Sequence, residues 1–229
     1  MANDFSPNPG YPRAVLFDLL TALLDSWTVW NAAAGSEAAG RTWRAEYLRL
    51  TYGCGAYQPY EQLVRDAARN TGMQAGAADR LDAAWSTLPV WSGARELLQA
   101  LAPHCQLAVV TNCSVTLGRQ AADRLGIAWD VVITSEEAGY YKPDPRPYQM
   151  ALNKLGVPAS DAAFVAGSGY DLFGTAQVGL RTYWHNRVGL QRPEGAPIAE
   201  VESPTLDAAL PWLQTFNAPT HNLKPHPKA

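Results

Sequence analysis

Cysteine is scarce: Cys54, Cys105 and Cys113 are widely spaced and lack the spacing of metal ligands or of a redox pair, which predicts reduced thiols. Histidine is equally sparse, and His104, His185, His221 and His226 form no metal-ligand grouping, so they read as structural or exposed. No apolar run approaches the ~20 residues that span a bilayer. The opening stretch MANDFSPNPGYPR is polar and proline-rich, unlike a signal peptide, and predicts a cytoplasmic protein. There is no excess of either charge. Eighteen Lys and Arg against 21 Asp and Glu give a net charge of -3, and the cations are dispersed, which argues against a nucleic-acid or membrane partner and for a small-molecule substrate. Internal repeats and low-complexity blocks are absent too. What the sequence does have is apolar content, 47% of 229 residues, enough for a substantial core.

Short β-rich apolar runs alternate with helical stretches. They lie at Ala14 to Phe17, Leu107 to Val110, Val131 to Thr134, Ala162 to Ala166 and Leu180 to Trp184, and the alternation predicts a parallel sheet wrapped by helices, a Rossmann-like α/β core. From Trp27 to about Pro89 the strand signal gives way to helical periodicity (Trp43, Tyr47, Leu48, Leu50; Leu63, Val64, Ala67). The organisation read from this is an α/β core over residues 1–25 and 90–215, a helical cap over 26–89 inserted after the first strand, and a mobile tail over 216–229. Polar residues follow three strands directly, at Asp18, at Thr111 and Asn112, and from Gly167 to Asp171. Ligands bind beyond the carboxyl ends of strands in open α/β sheets, so these positions are expected to converge.

Asp18 ends a buried strand in AVLFDLLTALLDS and precedes an expected helix, so by itself it fits either a helix N-cap or a reacting carboxylate. Three further segments join it in order: VVTNCS with Thr111 and Asn112, YYKPDPRPYQMAL with Lys142, and FVAGSGYDLFGTAQVGL with Asp171 and Gly174. Together the four resemble the ordered motifs of the haloacid-dehalogenase-like superfamily over almost the whole chain. The phosphate-transferring members carry an Asp two positions after the nucleophile and another opening the last motif; here these are Leu20 and Gly167. A leucine cannot protonate a leaving group, and Mg²⁺ requires a fuller set of hard oxygens. No metal or cofactor is therefore expected.

Within the superfamily the chain is most similar to the L-2-haloacid dehalogenases, in YKPDPRPYQ, in the YWHNR block from Tyr183 to Arg187, and in TWRAEYLRLTY, where Arg44 matches the arginine of the cap helix. The resemblance implies a metal-independent hydrolase of small 2-substituted carboxylic acids, and a homodimer. Asp18 would attack the substrate α-carbon to give an aspartyl ester, with Arg44 and Asn112 stabilising the departing anion. Lys142 would orient Asp18, and Asp171, steadied by Lys142 and Ser168, would activate water. Thr111 would bind the substrate carboxylate and Tyr148 would orient Lys142 or Asp171. Leu20, Trp27, Tyr170 and Trp184 would wall the pocket. A bland alternative pairs Arg44 with Glu37 or Glu46 on the solvated face of its helix.

The chain departs from the dehalogenases at Leu20, Thr21, Ala22, Ala166 and Ser168, which predicts a thinned hydrogen-bond shell around Asp18. L-azetidine-2-carboxylate hydrolases, which resemble the dehalogenases and open a C–N ring by the same attack, are the close alternative. A catalytically inactive fold acting as a binding module is the more distant one.

Overall fold

The computed structural model describes residues 10–216. Six strands form one wholly parallel sheet in the order β3-β2-β1-β4-β5-β6: β1 Ala14–Phe17, β2 Gln106–Thr111, β3 Val131–Thr134, β4 Ala162–Ala166, β5 Arg181–His185 and β6 Val201–Ser203. The inner strands are buried on both faces, and for that reason they read as unbroken apolar runs. β6 carries the sequence Val-Glu-Ser and escapes any such reading, because only backbone pairing to β5 defines it. In register, Phe17 lies beside Val109 and Val165, which sets Asp18 at the carboxyl end of a central strand.

Side chains alternate across the sheet. Val15, Phe17, Val109 and Val165 pack toward α5 (Ala94–Leu101), α6 (Val115–Asp123) and α10 (Ala209–Gln214). Leu16, Val110, Ile133 and Phe164 pack toward α8 (Pro145–Leu155) and α9 (Asp171–Val178); the short α7 (Ser135–Ala138) follows β3.

Between β1 and β2 lie α1 (Ser26–Ala34), α2 (Glu37–Gly53), α3 (Tyr60–Asn70) and α4 (Ala77–Ala84), joined by an aromatic core that includes Trp30, Trp43, Tyr47, Tyr60 and Trp85. Tyr47 Oη donates to Asn112 O at 3.3 Å, Trp85 Nε1 to Leu117 O at 3.0 Å, and Ser114 Oγ to Glu61 Oε1 at 2.6 Å, holding the helices against the carboxyl edge of the sheet.

Asp18 does not open a helix. Residues 19–24 turn back instead, and α1 starts at Ser26 with Asp25 as its cap, accepting Thr28 N at 3.0 Å. Most of the predicted tail lies outside the described residues. Its first residue, Phe216, is buried, with the Arg181 guanidinium 4.3 Å from its ring centroid. His221 and His226 also fall outside. His185 is buried with Nδ1 2.8 Å from Ala22 O, and His104 stacks on Tyr11. All three cysteines are free, and among the described residues no helix is long and apolar enough to cross a membrane.

Candidate active site

Three strand-end loops and a lysine converge on one ionic unit. Lys142 Nζ lies 2.8 Å from Asp18 Oδ1 and 2.9 Å from Asp171 Oδ1, and all three side chains are almost wholly buried. The backbone of Lys142 is held by one side chain: its N–H donates to Asn112 Oδ1 at 2.8 Å, and its carbonyl accepts Asn112 Nδ2 at 3.0 Å. Asp171 opens α9, and its Oδ1 also accepts the Tyr148 hydroxyl at 2.7 Å. Asp171 Oδ2 is buried and has no hydrogen-bond partner among the described residues. The motif glycine, Gly174, explains how α9 comes so near: a Cβ there would lie 2.4 Å from Tyr148 Cε2 and 2.5 Å from Pro143 O.

Environment separates the two carboxylates. Burial opposes ionisation of Asp18, but Lys142 and the Thr21 donors outweigh it and hold this group below its ordinary value. Burial and the Asp18 charge prevail at Asp171 and push it above the ordinary carboxylate value despite Lys142. The two anions raise Lys142 against the opposing effect of burial.

The shell around Asp18 is rebuilt from different residues. Asp18 Oδ2 accepts Thr21 N at 3.0 Å, Thr21 Oγ1 at 2.6 Å and Ala22 N at 3.2 Å. The expectation of a thinned shell is therefore wrong: a hydroxyl one position earlier reaches the carboxylate because the turn brings residue i+3 back onto residue i. The backbone N–H groups of Leu19 and Leu20 make no hydrogen bond among the described residues.

Above this base lies a cleft of about 310 Å³, lined by Asp18, Leu20, Arg44, Asn112, Lys142 and Asp171 among others. Arg44 is buried, donates to Ser26 Oγ at 3.0 Å and stacks its guanidinium 4.1 Å from the Trp27 ring centroid. It forms no ion pair among the described residues; Glu37 pairs with Arg41 and Glu46 with Arg49, which overturns the solvated-pair alternative for Arg44. A buried guanidinium without a carboxylate partner is an anion site in waiting.

Leu20, Trp27, Ser168 and Tyr170 all line the cleft. Ser168 steadies Asp171 through its carbonyl, which accepts Asp171 N at 3.1 Å, while its hydroxyl accepts Tyr170 N at 3.3 Å. Two predicted contacts are misplaced. Thr111 points under α6, its Oγ1 3.6 Å from Cys113 Sγ and its methyl facing Gly118, and it does not reach the cleft. Trp184 lies beneath the 167–170 loop against Gly169, and its indole N–H has no partner among the described residues. Tyr148 does not line the cleft either, but its hydroxyl meets Asp171, the contact an orienting residue requires. Sequence reasoning missed Thr21, Ser26, Tyr52 and the Leu190 to Pro193 segment. Of these only Thr21 left a signal, a hydroxyl three residues after an Asp at a strand end.

Cys113 is no rival nucleophile, since burial pushes its thiol up to about 12. Nor do the residues suit Mg²⁺. Lys142 already bridges the only two carboxylates that line the cleft among the described residues, and a Cβ on Gly167 would lie 2.2 Å from Ala22 N and 2.3 Å from Thr21 Oγ1, so no carboxylate can stand there with this turn in place.

The sequence matches a family described as haloacid dehalogenase-like hydrolase over residues 12–179. The (S)-2-haloacid dehalogenase 4A of Burkholderia cepacia is 30% identical over 194 residues, covering 77% of this chain and 84% of its own. The (S)-2-haloacid dehalogenase 1 of Pseudomonas sp. strain CBS-3 is 30% identical over 193 residues, with coverages of 77% and 85%. A crystal structure described as that of a dehalogenase superposes with a TM-score of 0.75 at 28% identity, covering 87% of this chain and 96% of the other. With its motif residues gathered at the carboxyl edge of a matching sheet, this chain belongs to the haloacid dehalogenase-like hydrolases.

Proposed function

We propose that this hydrolase displaces halide from C2 of small 2-haloacids, as an (S)-2-haloacid dehalogenase. The observation that carries the reading is the buried Asp18–Lys142–Asp171 unit lying beneath the unpaired Arg44 in one cleft. Asp18 stays ionised in a dry site, the state needed to attack carbon. Oδ1 is its less encumbered oxygen. As Oδ1 bonds to C2, the carbon–halogen pair leaves with the halide toward Arg44, whose charge stabilises it. The backbone N–H of Leu20, at the cleft and without a hydrogen-bond partner among the described residues, suits the substrate carboxylate, a role the sequence had suggested for Thr111. Asn112, with its amide engaged by the Lys142 backbone, positions the lysine and has one N–H left for the cleft.

The product of this first step is an ester on Asp18. Asp171 Oδ2, free of other partners, takes a proton from water, and the resulting hydroxide attacks the Asp18 carbonyl carbon. Negative charge then gathers on Oδ2 of Asp18, where Thr21 N, Thr21 Oγ1 and Ala22 N already point, an arrangement suited to an oxyanion. Collapse breaks the bond from the Asp18 carboxyl carbon to Oδ1, which departs on C2 and takes the proton of the newly added hydroxyl to give the 2-hydroxyacid, so that Asp18 returns as a carboxylate; Asp171 passes its own proton to solvent.

Halide release from L-2-chloropropionate in excess EDTA is the direct test, with full activity expected. Loss of activity on chelation, restored by Mg²⁺, is the contrary outcome. In a single turnover in H₂¹⁸O with enzyme in excess, the hydroxyacid should lack the label and the Asp18 peptide should gain it; a labelled product would eliminate covalent catalysis. Inert haloacids together with opening of azetidine-2-carboxylate would replace halide by a ring amine as leaving group.

A further inference from the structure

The cleft is larger than a three-carbon substrate needs, and much of its wall is apolar. It measures about 310 Å³, whereas an apolar cavity of about 150 Å³ already accepts a benzene ring. 2-Chloropropionate has the same number of non-hydrogen atoms as benzene, so anchored at Asp18 it leaves roughly half the space unfilled.

The remaining wall is formed by Trp27, Leu48, Tyr52, Tyr170, Leu190 and Pro193. Tyr52, at the end of α2, and Tyr170, in the loop after β4, stand with ring centroids 4.7 Å apart, so that aromatic faces from the helical segment and the core meet at the cleft. A charged distal group finds no counterpart among these residues. The additional cation at the rim, Arg41, is paired with Glu37 at 2.9 Å and half exposed. Gln191 is uncharged, and the ionic groups at the base are committed to one another.

Resting on the dehalogenase reading above, we infer that the preferred substrates are 2-haloacids bearing a bulky apolar group, above all an aryl ring, on C3. The carboxylate and reacting carbon sit at the Asp18 base, and the ring occupies the space between Tyr52, Tyr170 and the Leu190 to Pro193 segment.

The test compares kcat/KM for (S)-2-bromo-3-phenylpropanoate and (S)-2-bromopropanoate by halide release. The phenyl substrate should be favoured by about tenfold or more. Ala45 lines the cleft beside Arg44 with its methyl exposed, so Ala45→Phe should fill the distal space and lower that ratio by about tenfold. Comparing ratios between the two proteins cancels the intrinsic reactivity of the substrates. Equal turnover of both substrates, or a ratio indifferent to Ala45→Phe, overturns the inference and leaves the dehalogenase reading standing. If neither acid releases halide, that reading falls, and calorimetric affinities of 3-phenylpropanoate and propanoate decide the cleft's preference alone: tighter binding of the aryl acid supports it, and equal affinities overturn it.

Discussion

At the scale of single residues, the site depends on one ammonium between two buried carboxylates. Removing it leaves two like charges in a dry base, which must then share a proton. Lys142→Met should therefore cost about 3–5 kcal/mol of stability, the usual loss on breaking a buried ion pair, as well as activity. Urea denaturation provides the check, and an unchanged midpoint would mean that the three groups are not an ionic unit. Arg44 acts on the substrate side. Arg44→Ala should reduce kcat/KM for 2-haloacids by about 10²-fold or more, with circular dichroism unchanged. Ser26→Ala keeps the charge and loses only its anchor at 3.0 Å, so a smaller loss, about tenfold, is expected. Equal losses for the two variants would show that placement of the guanidinium, and not its presence, limits the rate.

At the scale of elements, the turn after β1 separates this site from a metal-dependent one. Thr21 and Ala22 fold back onto Asp18 and occupy the space that a side chain on residue 167 would need. Gly167→Ala should thus destabilise the protein by about 1–3 kcal/mol through overpacking, read as a lower thermal midpoint; unchanged stability would mean that the turn yields freely and leaves room for a side chain at position 167. This turn also marks the limit of what sequence could say. β1 to β5 were legible because parallel strands buried on both faces are continuous apolar runs, and the order of the motifs at their ends carried Asp18, Lys142 and Asp171. The direction of a strand-end side chain was not legible. Thr111 ends β2 and Trp184 is the last residue but one of β5, yet packing against α6 and the 167–170 loop turns both away from the cleft. Thr21 was read only as one of the departures around Asp18, since its reach to the carboxylate depends on turn dihedrals and not on spacing. Ser26 and Tyr52 carry no local mark, because their roles arise only when α1 and α2 fold over the sheet edge.

At the scale of the whole molecule, helices from one segment and loops from the sheet enclose the ionic unit, and that enclosure fixes its pH behaviour. Asp18 is held below its ordinary 3.8 and Asp171 above it. For stability the signs differ. Asp18 contributes stability that is present above 3.8 and lost as the pH falls through its lower folded value, whereas the contribution of Asp171 is present below 3.8 and lost as the pH rises through its higher one. Lys142, raised above 10.5, contributes below that value and loses its contribution as the solution becomes more alkaline.

For catalysis the same ordering divides the two chemical steps. Between the two carboxylate values Asp18 is ionised and can still attack C2, while Asp171 holds its proton and cannot activate water. The acid limb of kcat should therefore report Asp171 beside the esterified Asp18, where burial raises it and Lys142 lowers it. Below that limb, while the free Asp18 is still ionised, the unmodified enzyme should collect the ester. Acid-quenched samples taken at successively lower pH should show a rising mass adduct on the Asp18 peptide, and Asp171→Asn should show the adduct at every pH where Asp18 is charged. If kcat falls with pH and no adduct appears, formation of the ester is the step that fails, and Asp171 is not the base of the second step.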